Sequence, residues 1–201
     1  MMEASSAVLP HDGRPEPRPT VKLLPDGVMG MLLFIFTEAM LFAGLISAHT
    51  IVKSGAAGQM WPPFGQPRLP VEETALNTAA LLVSGIVLIF AQLGYRKRAS
   101  RALGPLLVSV LLGTFFVVFQ GVEWVALIGE GLTLQSSSYG GFFYLIVGTH
   151  ALHAVAAILC LAWAWFRLRA GRLTPAQFAT VQVLWYFVVL VWPVLYLRVY
   201  L

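Results

Sequence analysis

The sequence predicts an all-α integral membrane protein, a bundle of five transmembrane helices. Its 201 residues are 58% hydrophobic and only 11% charged, with a mean hydropathy of +0.79. This is too little charge to cover the surface of a soluble domain of that size. Five apolar segments also exceed the roughly 20 residues that cross the hydrocarbon of a bilayer. Their apolar runs are continuous and do not alternate, which favours helices over barrel strands.

The five predicted helices cover residues 28–52, 73–95, 103–129, 139–167 and 175–201. Glu72 and Glu73 place carboxylates at the start of the second segment, where a helix dipole favours them. Thr174 and Pro175 are typical of the N-cap and first position of the fifth. Residues 1–27 hold five prolines and no apolar core of a signal peptide. We therefore expect a short cytoplasmic, proline-rich arm, 1–27, followed by a five-helix membrane domain, 28–201.

The distribution of lysine and arginine predicts the orientation. Ten of the thirteen lie in the arm or in the loops after the second and fourth segments. Because cytoplasmic loops are enriched in these residues, the N-terminus is expected inside and the C-terminus outside. The net charge of +4 lies in short loops rather than on one solvated face, which argues against a nucleic-acid partner.

Three ionisable residues lie near the middle of the predicted membrane. Glu38 is in the first segment, and a carboxyl group at that depth costs several kcal/mol unless it is paired, neutral or hydrated. His150 and His153 share one face of the fourth segment, three residues apart. A contact between Glu38 and these histidines is possible by depth and would relieve the burial of each group. The alternative is that all three form ordinary hydrogen bonds between helices of a bundle.

A second polar cluster lies near the outer end of the third segment, formed by Gln120, Glu123 and Trp124. Arg198 lies at a similar depth on the fifth segment. We expect an ion pair or shared network between Glu123 and Arg198. The alternative is an exposed interfacial glutamate beside an arginine that extends to the membrane surface.

Sequence motifs for chemistry are few. Cys160 is a single cysteine within an apolar run, and the sequence HALH at 150–153 lacks the spacing and glutamate of a zinc protease. Zinc needs three or four ligands, and only two histidines lie together here. We therefore expect no catalytic, cofactor-binding or metal site in this chain.

Six motifs in fixed order carry a resemblance to a known family. They are FIFTEAMLF at 34–42, WPP at 61–63, ETALNTAALLVSG at 73–85, GTFFVVFQGVEW at 113–124, GFFYLIVGTHALHA at 141–154 and LWYFVVLVWPVLY at 184–196. Together they resemble subunit III of the haem-copper oxidases, over residues 30–201 and in its short form with five helices.

The resemblance implies roles for several residues. Glu38 matches the family's embedded glutamate, which lies beside a lipid-filled cleft and near the oxygen route. His150 and His153 match its HxxH motif, and Glu123 matches its QxxEW motif. These residues are expected to form an embedded polar network or to contact lipid and neighbouring subunits.

The last helix departs from the family pattern. Where the family commonly has WHFVDxVW, this chain places Tyr186 after Trp185 and Val189 in place of the aspartate. Two titratable groups are thereby removed, which puts in doubt any network that uses them. Trp185 and Tyr186 remain candidates for the same set of embedded contacts.

The resemblance implies an accessory subunit of a terminal oxidase in a bacterial cytoplasmic membrane. In such a complex oxygen is reduced to water and protons are pumped, while the accessory subunit supports stability and proton uptake. The expected partners are the catalytic subunit I, other oxidase subunits, phospholipids and a larger respiratory supercomplex, with haem and copper held by the partner subunits. Two alternatives are a relative associated with nitric oxide reductase and a small transporter or channel that uses Glu38.

Overall fold

The computed structural model describes residues 24–55, 63 and 65–200, and within them it contains helices and turns but no strand. The helices are α1, Asp26–Gly55; α2, Val71–Lys97; α3, Leu103–Gly129; α4, Ser138–Arg169; and α5, Pro175–Leu195. Each is long and apolar enough to cross a membrane, α5 together with the turn that follows it. The predicted all-α fold with five membrane-spanning helices is therefore confirmed.

Consecutive helices run in opposite directions. The Ser109 hydroxyl near the start of α3 donates to the carbonyl of Ser84 in the middle of α2, at 3.0 Å. The Thr74 hydroxyl in the first turn of α2 donates to Glu123 Oε2 near the end of α3, at 3.1 Å. The Tyr196 hydroxyl, just after α5, donates to the carbonyl of Val71 at the start of α2, at 3.0 Å. Gly27 at the start of α1 lies against Thr180 near the start of α5. The first and last helices are therefore parallel, and the chain enters and leaves the bundle at opposite ends.

Helix α5 is the centre of the bundle and α1 is its least buried member. Helix α5 packs against α1, α2 and α4, and it buries ten of its 21 residues. Helix α1 contacts α5 and, to a smaller extent, α4, and it buries three of its 30 residues, namely Val28, Phe42 and His49. Its remaining apolar surface suits contact with lipid or with another membrane protein rather than with water.

Local signals explain where the helices begin and end. The Thr174 hydroxyl accepts from the backbone N–H of Gln177, and the Gln177 side chain accepts from the backbone N–H of Thr174. This capping box confirms the predicted start of α5. Gly131 and Gly171 each lie two residues after the last residue of α3 and α4, and their φ angles of 92° and 68° favour glycine.

Some sequence predictions fall partly or wholly outside the described residues. Most of the predicted arm, 1–27, lies there, although α1 already begins at Asp26. Trp61 and Pro62 of the WPP motif also lie outside. The fifth predicted segment was expected to continue to residue 201, but α5 ends at Leu195, where Pro193 lies in its last turn, and a π-helical turn, Tyr196–Tyr200, follows.

Candidate functional site

Glu38 of α1 contacts His153 of α4. Glu38 Oε2 lies 3.1 Å from His153 Nε2, and both side chains are largely buried. His153 Nδ1 lies 2.7 Å from the backbone carbonyl of Thr149, one turn earlier in α4. The contact between the first and fourth helices that depth made possible is therefore present, and it is made by His153.

The donors and acceptors around this pair limit how hydrogen atoms can be arranged in it. A carbonyl oxygen only accepts, so Nδ1 of His153 carries a hydrogen and donates it to Thr149. An unprotonated Nε2 facing a carboxylate would bring two lone pairs together. The pair is favourable when it holds one further proton, either as carboxylate with imidazolium or as carboxylic acid with neutral imidazole. Both forms have no net charge, which suits a membrane interior.

His150 lies apart from this pair. Its ring is 4.9 Å from the ring of Trp192 and 6.3 Å from that of Phe116, measured between centroids, and the residue is 1% exposed. The Phe42 ring of α1 lies 6.3 Å from His150 and 5.7 Å from His153. Glu38, His153 and His150 therefore do not form one hydrogen-bonded cluster.

Glu123 is the centre of a second network. Its Oε2 accepts from the Thr74 hydroxyl at 3.1 Å and from Nε2 of Gln120 at 2.7 Å. Gln120 Nε2 also donates to the Tyr200 hydroxyl oxygen at 3.1 Å. The network joins α2, α3 and the turn after α5. Trp124, predicted in the same cluster, instead places its ring edge-on to Tyr144, with 5.8 Å between centroids.

Arg198 does not pair with Glu123, and that prediction was wrong. Arg198 is exposed and lines a cleft beside Ile46, Ser47 and other residues near the end of α1. Tyr200, two residues later, is buried and reaches Gln120. Residues two positions apart point to nearly opposite sides of a helical turn. The side chain that meets the Glu123 network is therefore tyrosine rather than arginine.

The sequence prediction missed the polar face of α2. Besides Thr74, this face carries Asn77, whose Nδ2 donates to the Phe116 carbonyl at 3.1 Å, and Thr78, whose hydroxyl accepts from Trp192 Nε1 at 2.8 Å. Polar residues at 74, 77 and 78 have the i, i+3, i+4 spacing of one helix face. That spacing within an apolar helix was the available signal.

The two aromatic candidates on α5 occupy different surroundings. Trp185 is fully buried, and its indole lies against Gly113 of α3 so closely that a Cβ there would overlap it. Tyr186 is half-buried and lines a groove between α1 and α5. Val189, where the family commonly has aspartate, packs against Gly85 of α2. This part of α5 therefore serves apolar packing.

Within the described ranges, no group of three or more His, Cys, Asp and Glu side chains is placed to hold a metal ion. The Glu38–His153 pair and the Glu123 network are therefore the main arrangements of embedded ionisable groups in this part of the chain. They can hold a proton and fix helices relative to each other.

Comparison with known proteins identifies the family. The family model described as cytochrome c oxidase subunit III matches residues 20–201. A probable cytochrome c oxidase subunit 3 from Nocardia farcinica is 31% identical, over 86% of this chain and 86% of that protein. Subunit 3 of the Pseudomonas putida cytochrome bo(3) ubiquinol oxidase is 30% identical, over 87% of this chain and 84% of that protein.

A vertebrate relative is also similar. Cytochrome c oxidase subunit 3 of Gallus gallus is 33% identical, over 85% of this chain and 67% of that protein. None of these findings favours a transporter or a relative associated with nitric oxide reductase. The chain therefore belongs to the subunit III family of the haem-copper oxidases, and its role is that of an accessory oxidase subunit.

Proposed function

We propose that this subunit lies beside the catalytic subunit of a terminal oxidase and holds phospholipid in the groove between α1 and α5. The observation that carries the proposal is the groove itself, which has a volume of about 520 Å³. Ligand pockets in proteins commonly range from about 300 to 1,000 Å³. Its walls are almost entirely apolar, formed from α1 by Leu32, Ile35, Ala39, Phe42, Ala43 and Ile46 and from α5 by Val183, Tyr186, Phe187, Leu190, Val191 and Val194.

The groove lies against the Glu38–His153 pair. Phe42 and Phe187 both line it, and their ring centroids lie 5.7 and 6.3 Å from that of His153. An acyl chain in the groove would cover these rings and keep water away from the pair. Lipid retention is therefore coupled to the surroundings of Glu38 and His153 in this proposal, which is how the subunit would support stability and proton uptake.

The exposed apolar surface of α1 is suited to contact with a neighbouring subunit. Leu33, Phe36 and Met40 are 63%, 65% and 63% exposed, although all three are large and apolar. We assign this surface to contact with the catalytic subunit and to the surrounding lipid. Haem and copper would be held by partner subunits of the oxidase.

The positive residues support the expected orientation in a bacterial cytoplasmic membrane. Arg96 and Lys97 lie at the end of α2, and Arg167 and Arg169 lie at the end of α4. These two ends are adjacent, because the hydroxyl of Tyr95, near the end of α2, donates to the carbonyl of Leu173, just after α4, at 2.8 Å. The basic end of the bundle would face the cytoplasm, with the start of α1 at the same side.

Filling the groove tests this function. Ala43→Phe places a ring in the groove, whereas Ala79→Phe makes the same substitution on the exposed face of α2, outside the groove. We expect the purified complex to lose phospholipid with Ala43→Phe and to keep it with Ala79→Phe, measured by native mass spectrometry and lipid extraction. Equal lipid content in the two variants and the wild type would remove the groove as the lipid site.

A further inference from the structure

A small cavity lies between the Glu123 network and His150. Its volume is about 120 Å³, and it is bounded by α3, α4 and the ring of Trp192 from α5. Gln120 and Trp124 line it from α3, and His150 lines it from α4. One water molecule needs only about 10–15 Å³ of the volume that its centre can occupy. The cavity therefore has room for a few water molecules.

Each of these three residues has a buried polar atom without a protein partner among the described residues. The atoms are Oε1 of Gln120, Nε1 of Trp124 and Nε2 of His150. Gln120 is 4% exposed and His150 is 1% exposed, so neither reaches bulk water directly. A buried polar atom without a hydrogen bond costs about 1–3 kcal/mol. All three atoms belong to residues that line one cavity, and this points to a polar ligand there.

The orientation of the Gln120 amide is fixed by its neighbours. Its Nε2 donates to both Glu123 and Tyr200. In a planar amide the oxygen then points away from those two partners. The carbonyl oxygen is thus the part of Gln120 that is left to bind a further group, and it requires a donor.

The hydrogen-bonding needs of these three atoms can be met by water. Gln120 Oε1 accepts only, Trp124 Nε1 donates only, and His150 Nε2 does either according to its protonation. Water both donates and accepts, so one or two molecules can satisfy all three atoms with His150 in either tautomer. An acyl chain would satisfy none of them, although most of the cavity wall is formed by carbon atoms.

We propose that this cavity is a water-binding site that joins His150 to the Gln120–Glu123–Tyr200 network. Bound water extends the hydrogen-bonded set from Thr74 on α2 through α3 to α4. His150 is then part of the outer network, while His153 belongs to the Glu38 pair. The site is independent of the lipid groove between α1 and α5.

Two tryptophans of α5 provide an internal test. Trp192 and Trp185 are both fully buried, but only Trp192 lines the cavity. Because Nε1 of Trp185 has no hydrogen-bond partner among the described residues, the comparison also controls for an unpaired indole N–H outside this cavity. Ionising X-rays convert bound water to hydroxyl radicals that oxidise the nearest side chains, and the products can be counted by mass spectrometry. In the complex purified from native membranes, we expect Trp192 to be oxidised several-fold faster than Trp185.

Filling the cavity provides a second part of the same experiment. Ala151 lines the cavity, whereas Ala156 lies on the exposed surface of the same helix. Ala151→Leu is expected to lower the oxidation rate of Trp192 to that of Trp185, and Ala156→Leu is expected to leave it unchanged. Equally slow oxidation of both tryptophans in the wild-type complex would overturn the proposal. That is the result expected if an acyl chain, rather than water, fills the cavity. The wild-type comparison stands even if a variant fails to fold.

Discussion

Gly113 is the position where a single methyl group should have the clearest effect on stability. A Cβ placed there would overlap Cη2 of Trp185, and it would lie 2.8 Å from Cζ2 of the same ring and 3.3 Å from Cγ1 of Ile158. Trp185 is fully buried, and side chains in a protein interior are closely packed. The variant Gly113→Ala therefore forces α3 and α5 apart.

The expected size of the effect combines two terms. Overpacking of a core commonly costs about 1–3 kcal/mol. Replacing glycine by alanine inside a helix returns up to about 1 kcal/mol. We expect a net loss on the order of 1–2 kcal/mol, which lowers the midpoint of thermal unfolding by roughly 2–8 °C for a chain of this length.

The assay is thermal unfolding of the purified protein in detergent, followed by tryptophan fluorescence. Gly44→Ala is the matched control, because it lies inside α1 and a Cβ there meets nothing within 4 Å. Trp185→Phe removes both ring atoms that the new methyl group would approach most closely. Adding Gly113→Ala to Trp185→Phe should therefore cost less than adding it to the wild type, by about 0.5–3 kcal/mol. If Gly113→Ala unfolds at the same temperature as Gly44→Ala, the packing described for α3 and α5 is incorrect.

Three further predictions concern single residues. Thr78→Val leaves the buried Nε1 of Trp192 without its acceptor and should cost about 1–3 kcal/mol in thermal unfolding, whereas Thr78→Ser should be nearly neutral. Glu38→Gln should leave assembly and the initial rate of oxygen consumption intact, with a change in lipid retention or in inactivation during turnover; complete loss of turnover in an assembled complex would contradict this. Gly131→Ala should cost about 1–2 kcal/mol because φ is 92°, whereas Gly129→Ala, inside α3 with open space around it, should not.

The fold could be predicted from the sequence because a bilayer imposes a simple requirement. Every spanning segment must be apolar and about 20 residues long, so the five helices could be located without knowledge of their contacts. Helix ends were predicted where a local signal existed, as at Thr174. The end of α5 could not be located in this way, because the π-helical turn after Pro193 continues the same apolar pattern.

The candidate site was predicted only in part, because depth alone does not give the rotation of a helix. Similar depth indicated the contact between Glu38 and His153, since both lie near the middle of adjacent helices. Depth also suggested a contact between Glu123 and Arg198, but Arg198 faces away from that network. The resemblance implied a lipid-filled cleft beside Glu38, but the walls of the groove and the cavity could not be predicted, since each depends on gaps between side chains of several helices.

The central claim, that this chain is an accessory subunit of an oxidase, is tested most directly by purification from native membranes in mild detergent. An optical spectrum and mass-spectrometric identification of the subunits would be recorded on the same sample. The account predicts a haem-containing catalytic partner in a stoichiometric complex that also holds copper and phospholipid. Recovery of the intact chain without any haem-containing partner would contradict it.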